Sequence, residues 1–83
     1  MSYSNDQDLK RQIGEGIRSL RRRRGINQAD LAKAVGRVRP ALSNIERGKA
    51  APTVSLLVRL AGELEARIII SGDGVRVEAN DAG

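Results

Sequence analysis

Leu9, Ile13, Ile17 and Leu20 recur at spacings of four, four and three, so one face of residues 5–24 is apolar and the rest polar. That is the period of an amphipathic helix. Ser4 and Gln7 stand at capping-box spacing at its start, and Gly25 ends it. Gly14 and Gly16 lower its helical propensity by roughly 1 kcal/mol each, which close helix packing would explain. A second, shorter helix begins at Asn27 as N-cap, with Asp30 three residues on. It turns Leu31, Ala32 and Val35 inward, and Gly36 stands where a helix stops in the left-handed conformation. At about eight residues it needs a packed domain to exist. A third helix carries Val38, Ala41, Leu42 and Ile45 toward the core and ends at Gly48. Pro40 starts it: a residue before proline is pushed to extended backbone, which puts Arg39 at the N-cap and Pro40 at the first helical position. Arg39, Ser43, Asn44 and Arg47 are left on the outside. After "GKAAP", Thr53 caps a fourth helix that buries Leu56, Leu57, Leu60, Ala61 and Leu64.

The period then changes. "ARIIISGDGVRVEA" holds β-branched runs on either side of "SGDG", a turn signal, and reads as a strand over 67–71 with a second over 75–78. The expected organisation is one helical domain over 5–65, a β appendage over 66–79, and flexible termini at 1–4 and 80–83.

Charge sharpens the picture. Between residues 10 and 49 there are twelve Lys and Arg against three acidic residues, a net +9, whereas residues 50–83 carry −2. A basic body points to a polyanionic partner. The chain has no Cys and no His, which removes disulfides, thiolate metal sites and the commonest general base. With one tyrosine and scattered carboxylates, the residues offer no catalytic or metal-binding cluster, so neither an enzyme nor a cofactor is expected. A single aromatic, Tyr3, also leaves nothing on which to stack RNA bases. No apolar run approaches membrane-spanning length and "MSYSNDQDLK" has no signal-peptide pattern, so the expected location is cytoplasmic.

Two short helices joined by about three residues make a helix-turn-helix. Gln28, Ala32, Gly36, Leu42 and Ile45 fall at the first, fifth, ninth, fifteenth and eighteenth positions of that unit. The fifth must be small where the helices cross, the ninth suits glycine, and the last two must be apolar. With "NQADLA", "ALSNIERGK" and "LVRLAGEL", the chain over roughly 9–65 resembles the lambda-repressor-like (XRE/Cro-type) helix-turn-helix family.

The resemblance implies a mainly α, compact four- to five-helix domain that binds double-stranded operator DNA as a homodimer, its third helix in the major groove. It puts Arg39, Pro40 and Asn44 at base edges. Arg39 suits a guanine and Asn44 an adenine or a phosphate, while Pro40 can only touch a thymine methyl or shape the approach. It puts Gln28 and Ser43, with the cations Arg22, Arg24, Arg37, Arg47 and Lys49, on the phosphate backbone. Arg21 and Glu46 match a structural ion pair, off the DNA. Val38 departs from the family pattern, where Ser or Thr often caps the third helix.

The ending resembles HipB-type antitoxins more loosely. It implies a C-terminal β-strand or hairpin for dimerisation through Ile68, Ile69 and Ile70, and an antitoxin that represses its own operon and binds a kinase-like or ribonuclease toxin. The alternative is a plain XRE-type transcription factor or controller protein. A protein-interaction module that has lost its DNA face is the rival from another class, and the basic segment argues against it.

Overall fold

The computed structural model describes residues 5–81, four helices followed by a β-hairpin: α1 (Asp6–Arg23), α2 (Gln28–Ala34), α3 (Arg39–Glu46), α4 (Val54–Leu64), β1 (Ala66–Ser71) and β2 (Gly74–Ala79). The mainly helical fold and C-terminal β element expected from the sequence are both present, and the appendage is a hairpin.

In α1 the cap is Asn5, whose side-chain oxygen accepts from the Asp8 amide at 2.9 Å. Ser4, the expected cap, lies outside the described residues. Its expected partner Gln7 instead reaches across the fold to donate to the Gly48 carbonyl at 3.0 Å. Asp6 and Asp8 in the first turn and Arg21–Arg23 in the last complement the helix dipole. Ile13, Ile17 and Leu20 are buried, as the stripe requires.

The two α1 glycines have separate reasons. A Cβ on Gly14 would fall 2.8 Å from the Glu46 carbonyl oxygen, so α1 lies directly against the end of α3. A Cβ on Gly16 would fall 2.7 Å from Val77 Cβ, so its close neighbour is a strand, not a helix. One helix is thereby wedged between α3 and the hairpin.

Helix α2 is capped by Asn27, which accepts from the Asp30 amide at 2.8 Å. It ends in a Schellman motif: Gly36, at φ +73°, donates to the Lys33 carbonyl at 3.1 Å, and Arg37 donates to the Ala32 carbonyl at 2.8 Å. Helix α3 starts one residue earlier than the proline rule predicts. Val38 is the extended N-cap, Arg39 is the first helical residue and Pro40 the second. Amide groups of the first turn have no intrahelical partner, so proline is tolerated there as well. The amides of Ala41 and Leu42 both reach the Val38 carbonyl, at 3.1 and 3.4 Å. Val38 therefore projects from the turn, 69% exposed, and is not a core residue.

Helix α4 is capped by Thr53 and buries Leu56, Leu57, Leu60 and Leu64, with Ala61 half-buried. It ends on Glu65 in the left-handed conformation, φ 51°, a geometry that costs a non-glycine residue about 1 kcal/mol. That corner sends the chain straight into β1. Asn80 and Asp81, expected to be flexible, are held: the Asn80 amide donates to the Glu65 carbonyl at 2.8 Å, and Asp81 pairs with Arg23 and Arg24.

The strands pair antiparallel from Ala66↔Ala79 to Ser71↔Gly74 around a two-residue turn. Alternation splits the three isoleucines. Ile68 turns inward with Val77 and packs on the core, and Ile70, on the same face but at the tip, is 67% exposed. Ile69 faces the other way, opposite Arg76.

Candidate nucleic-acid interface

The helix-turn-helix unit is fastened from below by a buried ion pair. Glu46, at the end of α3, has a side chain only 2% exposed, and Arg21, near the end of α1, one 11% exposed. Arg21 Nε donates to Glu46 Oε2 at 2.7 Å and Nη2 to Oε1 at 3.0 Å, a fork-to-fork contact. The remaining Arg21 nitrogen, Nη1, donates to the Ile26 carbonyl at 3.0 Å in the α1–α2 turn. One side chain therefore ties α1, that turn and α3 together.

Above this pair lies an open concavity of about 450 Å³ between α1, the start of α2 and one flank of α3. Arg22, Gln28, Arg39, Ser43 and Arg47, all expected from the sequence at a DNA surface, line it together. Arg39, Ser43 and Arg47 are spaced by four, so they follow one ridge of α3. Arg18 lines it too, although the sequence reading does not single it out. It stands one turn before Arg22 on α1, and that i, i+4 spacing is the available signal. Among the described residues, Arg18, Arg22, Arg39 and Arg47 have no carboxylate within ion-pair distance, and the Glu46 charge is already met by Arg21. Four uncompensated cations around a concave surface attract a polyanion.

The opposite flank of α3 has a second groove, lined by Arg37, Asn44, Ala50 and Thr53 among others, reaching toward α4. Arg39, Pro40 and Asn44 are exposed on the crest between the grooves, and Lys49 is exposed just beyond α3. Arg24 is elsewhere. Its Nε donates to the Leu64 carbonyl at 2.8 Å and its Nη2 to the Glu65 carbonyl at 2.9 Å and to Asp81 at 3.0 Å. It closes the end of α4 against α1, a role invisible in a run of four arginines. Among the described residues, no cluster of three His, Cys, Asp or Glu is placed to hold a metal ion, and no helix is long and apolar enough to cross a membrane.

Comparison with known proteins decides the family. The profile of HTH_3, a helix-turn-helix family, matches residues 17–68. The chain belongs to the HTH_3 family. This is a family of DNA-binding transcriptional regulators. An HTH-type transcriptional regulator, y4dJ of Sinorhizobium fredii, is 35% identical over 57 residues, 69% of this chain and 74% of the relative. An HTH_3 family transcriptional regulator from Vibrio cholerae has a similar structure, with TM-score 0.69 and 35% identity over 76% of this chain. The match spans only 35% of the Vibrio chain. The restriction-modification controller protein C.AhdI from Aeromonas hydrophila matches with TM-score 0.70 and 26% identity, over 75% of this chain and 90% of its own. A third similar structure, the controller protein C.Esp1396I, is a tetramer in complex with its natural 35 base-pair operator. It matches with TM-score 0.63 and 30% identity, over 69% of this chain and 75% of its own.

Proposed function

We propose that this chain is a sequence-specific transcriptional repressor that binds operator DNA as a homodimer, with α3 in the major groove. The observation that carries the reading is the group of unpaired arginines flanking an α3 whose crest residues are exposed and whose base is clamped by Arg21–Glu46. Arg22, Arg37, Arg47 and Lys49 supply phosphate contacts, which fix register and affinity. Arg39 reads a guanine through its fork and Asn44 an adenine, while Pro40 meets a thymine methyl. Ser43, half-buried, adds a hydroxyl at the phosphate edge. That the similar controller protein C.Esp1396I forms a complex with its operator supports the choice of operator DNA as partner.

Dimerisation is assigned to β1, through Ile68, Ile69 and Ile70. The support lies in the backbone. The Val75 amide donates to Gln12 Oε1 at 3.1 Å, so that residue points away from β1. In an antiparallel pair the direction alternates, so its partner Ile70, and Ile68 two residues back, direct their backbone groups to the outer edge of β1. Among the described residues no hydrogen bond reaches that edge. Pairing two such edges about a two-fold axis satisfies both and covers Ile70.

The hairpin following α4 supports an autoregulating antitoxin with a kinase-like or ribonuclease toxin as partner. The match to C.AhdI, over 75% of this chain and 90% of that protein, favours the second reading, a controller-type regulator with no toxin. A toxin reading frame beside the gene separates the two.

The experiment is selection of bound duplexes from a random-sequence pool. The expected product is a two-fold symmetric site with half-site centres about one helical turn, ~34 Å, apart. An asymmetric or single half-site would contradict the homodimer, and no enrichment over the input pool would contradict sequence-specific binding.

A further inference from the structure

Helix α1 touches α3 and the hairpin on opposite sides. Gly14 meets the Ile45 and Glu46 carbonyls at the end of α3, and Gly16 meets Val77 of β2. Two residues along a helix is a rotation of about 200°, so these glycines face opposite ways. The side toward the hairpin holds β2 at three successive levels. Gln12 Oε1 accepts from the Val75 amide at 3.1 Å, Gly16 lies against Val77, and Arg23 pairs with Asp81 at 3.2 Å. Gln12, Gly16 and Arg23 stand four and then seven residues apart, so they share one face of α1. Four helix residues rise about 6 Å and two strand residues about 6.6 Å, so β2 runs along α1 in step with it.

Two of these levels leave no room for a thicker residue. An alanine at 16 would put its Cβ 2.7 Å from Val77 Cβ, an atom bonded directly to the strand backbone. Carbon atoms rest ~3.5–4.0 Å apart, and a β-branched side chain cannot swing aside. At the Gln12 level, a Cβ on Gly74 would fall 2.6 Å from Gln12 Oε1. The hairpin is thus seated at backbone distance from α1, as α1 is from α3.

We propose that Gly16 and Gln12 set the spacing between the two half-sites of the operator. This rests on the readings of β1 as the dimer edge and α3 as the DNA-reading helix, and deepens them. With the protomers joined through β1, the path from one α3 to the other runs through α1, β2 and β1 and back in reverse. The seat of β2 on α1 therefore enters the separation of the two α3 helices twice. The hairpin's other hold is the Glu65 corner, where α4 passes directly into β1. Val77 pairs with Ile68, three residues beyond that corner, which gives a lever of about 10 Å. Pushing Val77 away by about 1 Å, enough for an ordinary carbon contact, tilts the hairpin by about 6°. With each α3 about 17 Å from the two-fold axis, the two tilts together shift the helices by roughly 3 Å, about one base-pair step. Gly16 and Gln12 face the hairpin and not α3, so they are positioning residues.

The test uses the full chain and palindromic duplexes built from the selected half-site, with half-site centres about 8 to 13 base pairs apart in single steps. Wild type is compared with Gly16→Ala, Gln12→Ala and Gly62→Ala, with far-UV circular dichroism confirming that each is folded. Gly62→Ala is the control, because a Cβ there meets nothing within 4 Å. Wild type and Gly62→Ala should share one optimum at about 10 base pairs. Gly16→Ala should move the optimum by about one base pair and lose roughly tenfold at the wild-type spacing, part of the gain from engaging both half-sites at once. Gln12→Ala releases the Val75 amide without crowding it, and should broaden the profile around the wild-type optimum. Neither should change the base preference within a half-site or the affinity for a single half-site. Profiles of both variants that match wild type, or losses equal at every spacing, would overturn the proposal and leave the dimer reading standing. Wild-type binding that is indifferent to spacing would sink the dimer reading, and the proposal with it.

Discussion

Glu46→Ala is expected to destabilise the domain by about 3–5 kcal/mol, because it leaves the Arg21 guanidinium buried without its counter-charge. The carboxylate accepts three hydrogen bonds, two from Arg21 and one from Gln28. Its side chain is only 2% exposed, so the pair has little solvent to screen it. Arg21 keeps only its bond to the Ile26 carbonyl. In a domain of this size each kcal/mol moves Tm by several degrees, so a fall of roughly 15–30 °C is expected. Arg21→Met should cost a similar amount, since it leaves the carboxylate stranded. The double variant Arg21→Met/Glu46→Leu should recover much of the loss, because an apolar pair has no charge to desolvate. Thermal melts followed by circular dichroism check all three. Single variants within about 1 kcal/mol of wild type would mean that the pair behaves as a surface pair, contrary to its burial.

The second large effect is on binding. Arg22, Arg37, Arg47 and Lys49 in each protomer make about eight phosphate-directed cations per dimer, for which the affinity for duplex DNA should fall roughly 10³- to 10⁵-fold between 50 and 200 mM salt. Arg18, which lines the same concavity, would steepen this if it reaches a phosphate. Arg24 should not contribute, since its guanidinium is spent on the Leu64 and Glu65 carbonyls and on Asp81. Arg47→Ala should flatten the slope of log affinity against log salt by about one for each phosphate it leaves without a cation. Arg24→Ala should leave the slope unchanged while lowering stability. Titration of a labelled duplex across the salt range measures both. An equal flattening by Arg24→Ala would contradict its position against α4.

Elements set by neighbouring residues are legible in the sequence. Asn27 with Asp30, Thr53, and the glycine closing α2 are local devices, and each acts where its spacing says. The buried leucines of α4 follow from period alone. What the sequence hides depends on contacts between distant residues or on a one-residue shift. Val38 reads as core because it fits the α3 stripe, but a start one residue earlier makes it the N-cap and turns it outward. The three isoleucines read as one apolar block until strand alternation is imposed, after which only Ile70 is left both inward-facing and largely uncovered. In the interface, the period of α3 leaves Arg39, Ser43, Asn44 and Arg47 outside as one set, and the structure divides it, with Arg39, Ser43 and Arg47 on one groove and Asn44 on the other. The hydrogen-bond partners of Gln28, Glu46 eighteen residues away and Arg39 eleven, leave no local pattern. Nor does the arginine whose target is forty residues on.

Everything proposed for this protein turns on whether α3 reads bases through Arg39. The most direct test is titration of a labelled fragment from upstream of the chain's own gene against excess unrelated DNA, with wild type and Arg39→Ala side by side. The expected result is tight, competitor-resistant binding that Arg39→Ala weakens by at least roughly tenfold, the worth of one good base contact. Binding that is equal on any duplex and indifferent to Arg39→Ala would contradict it.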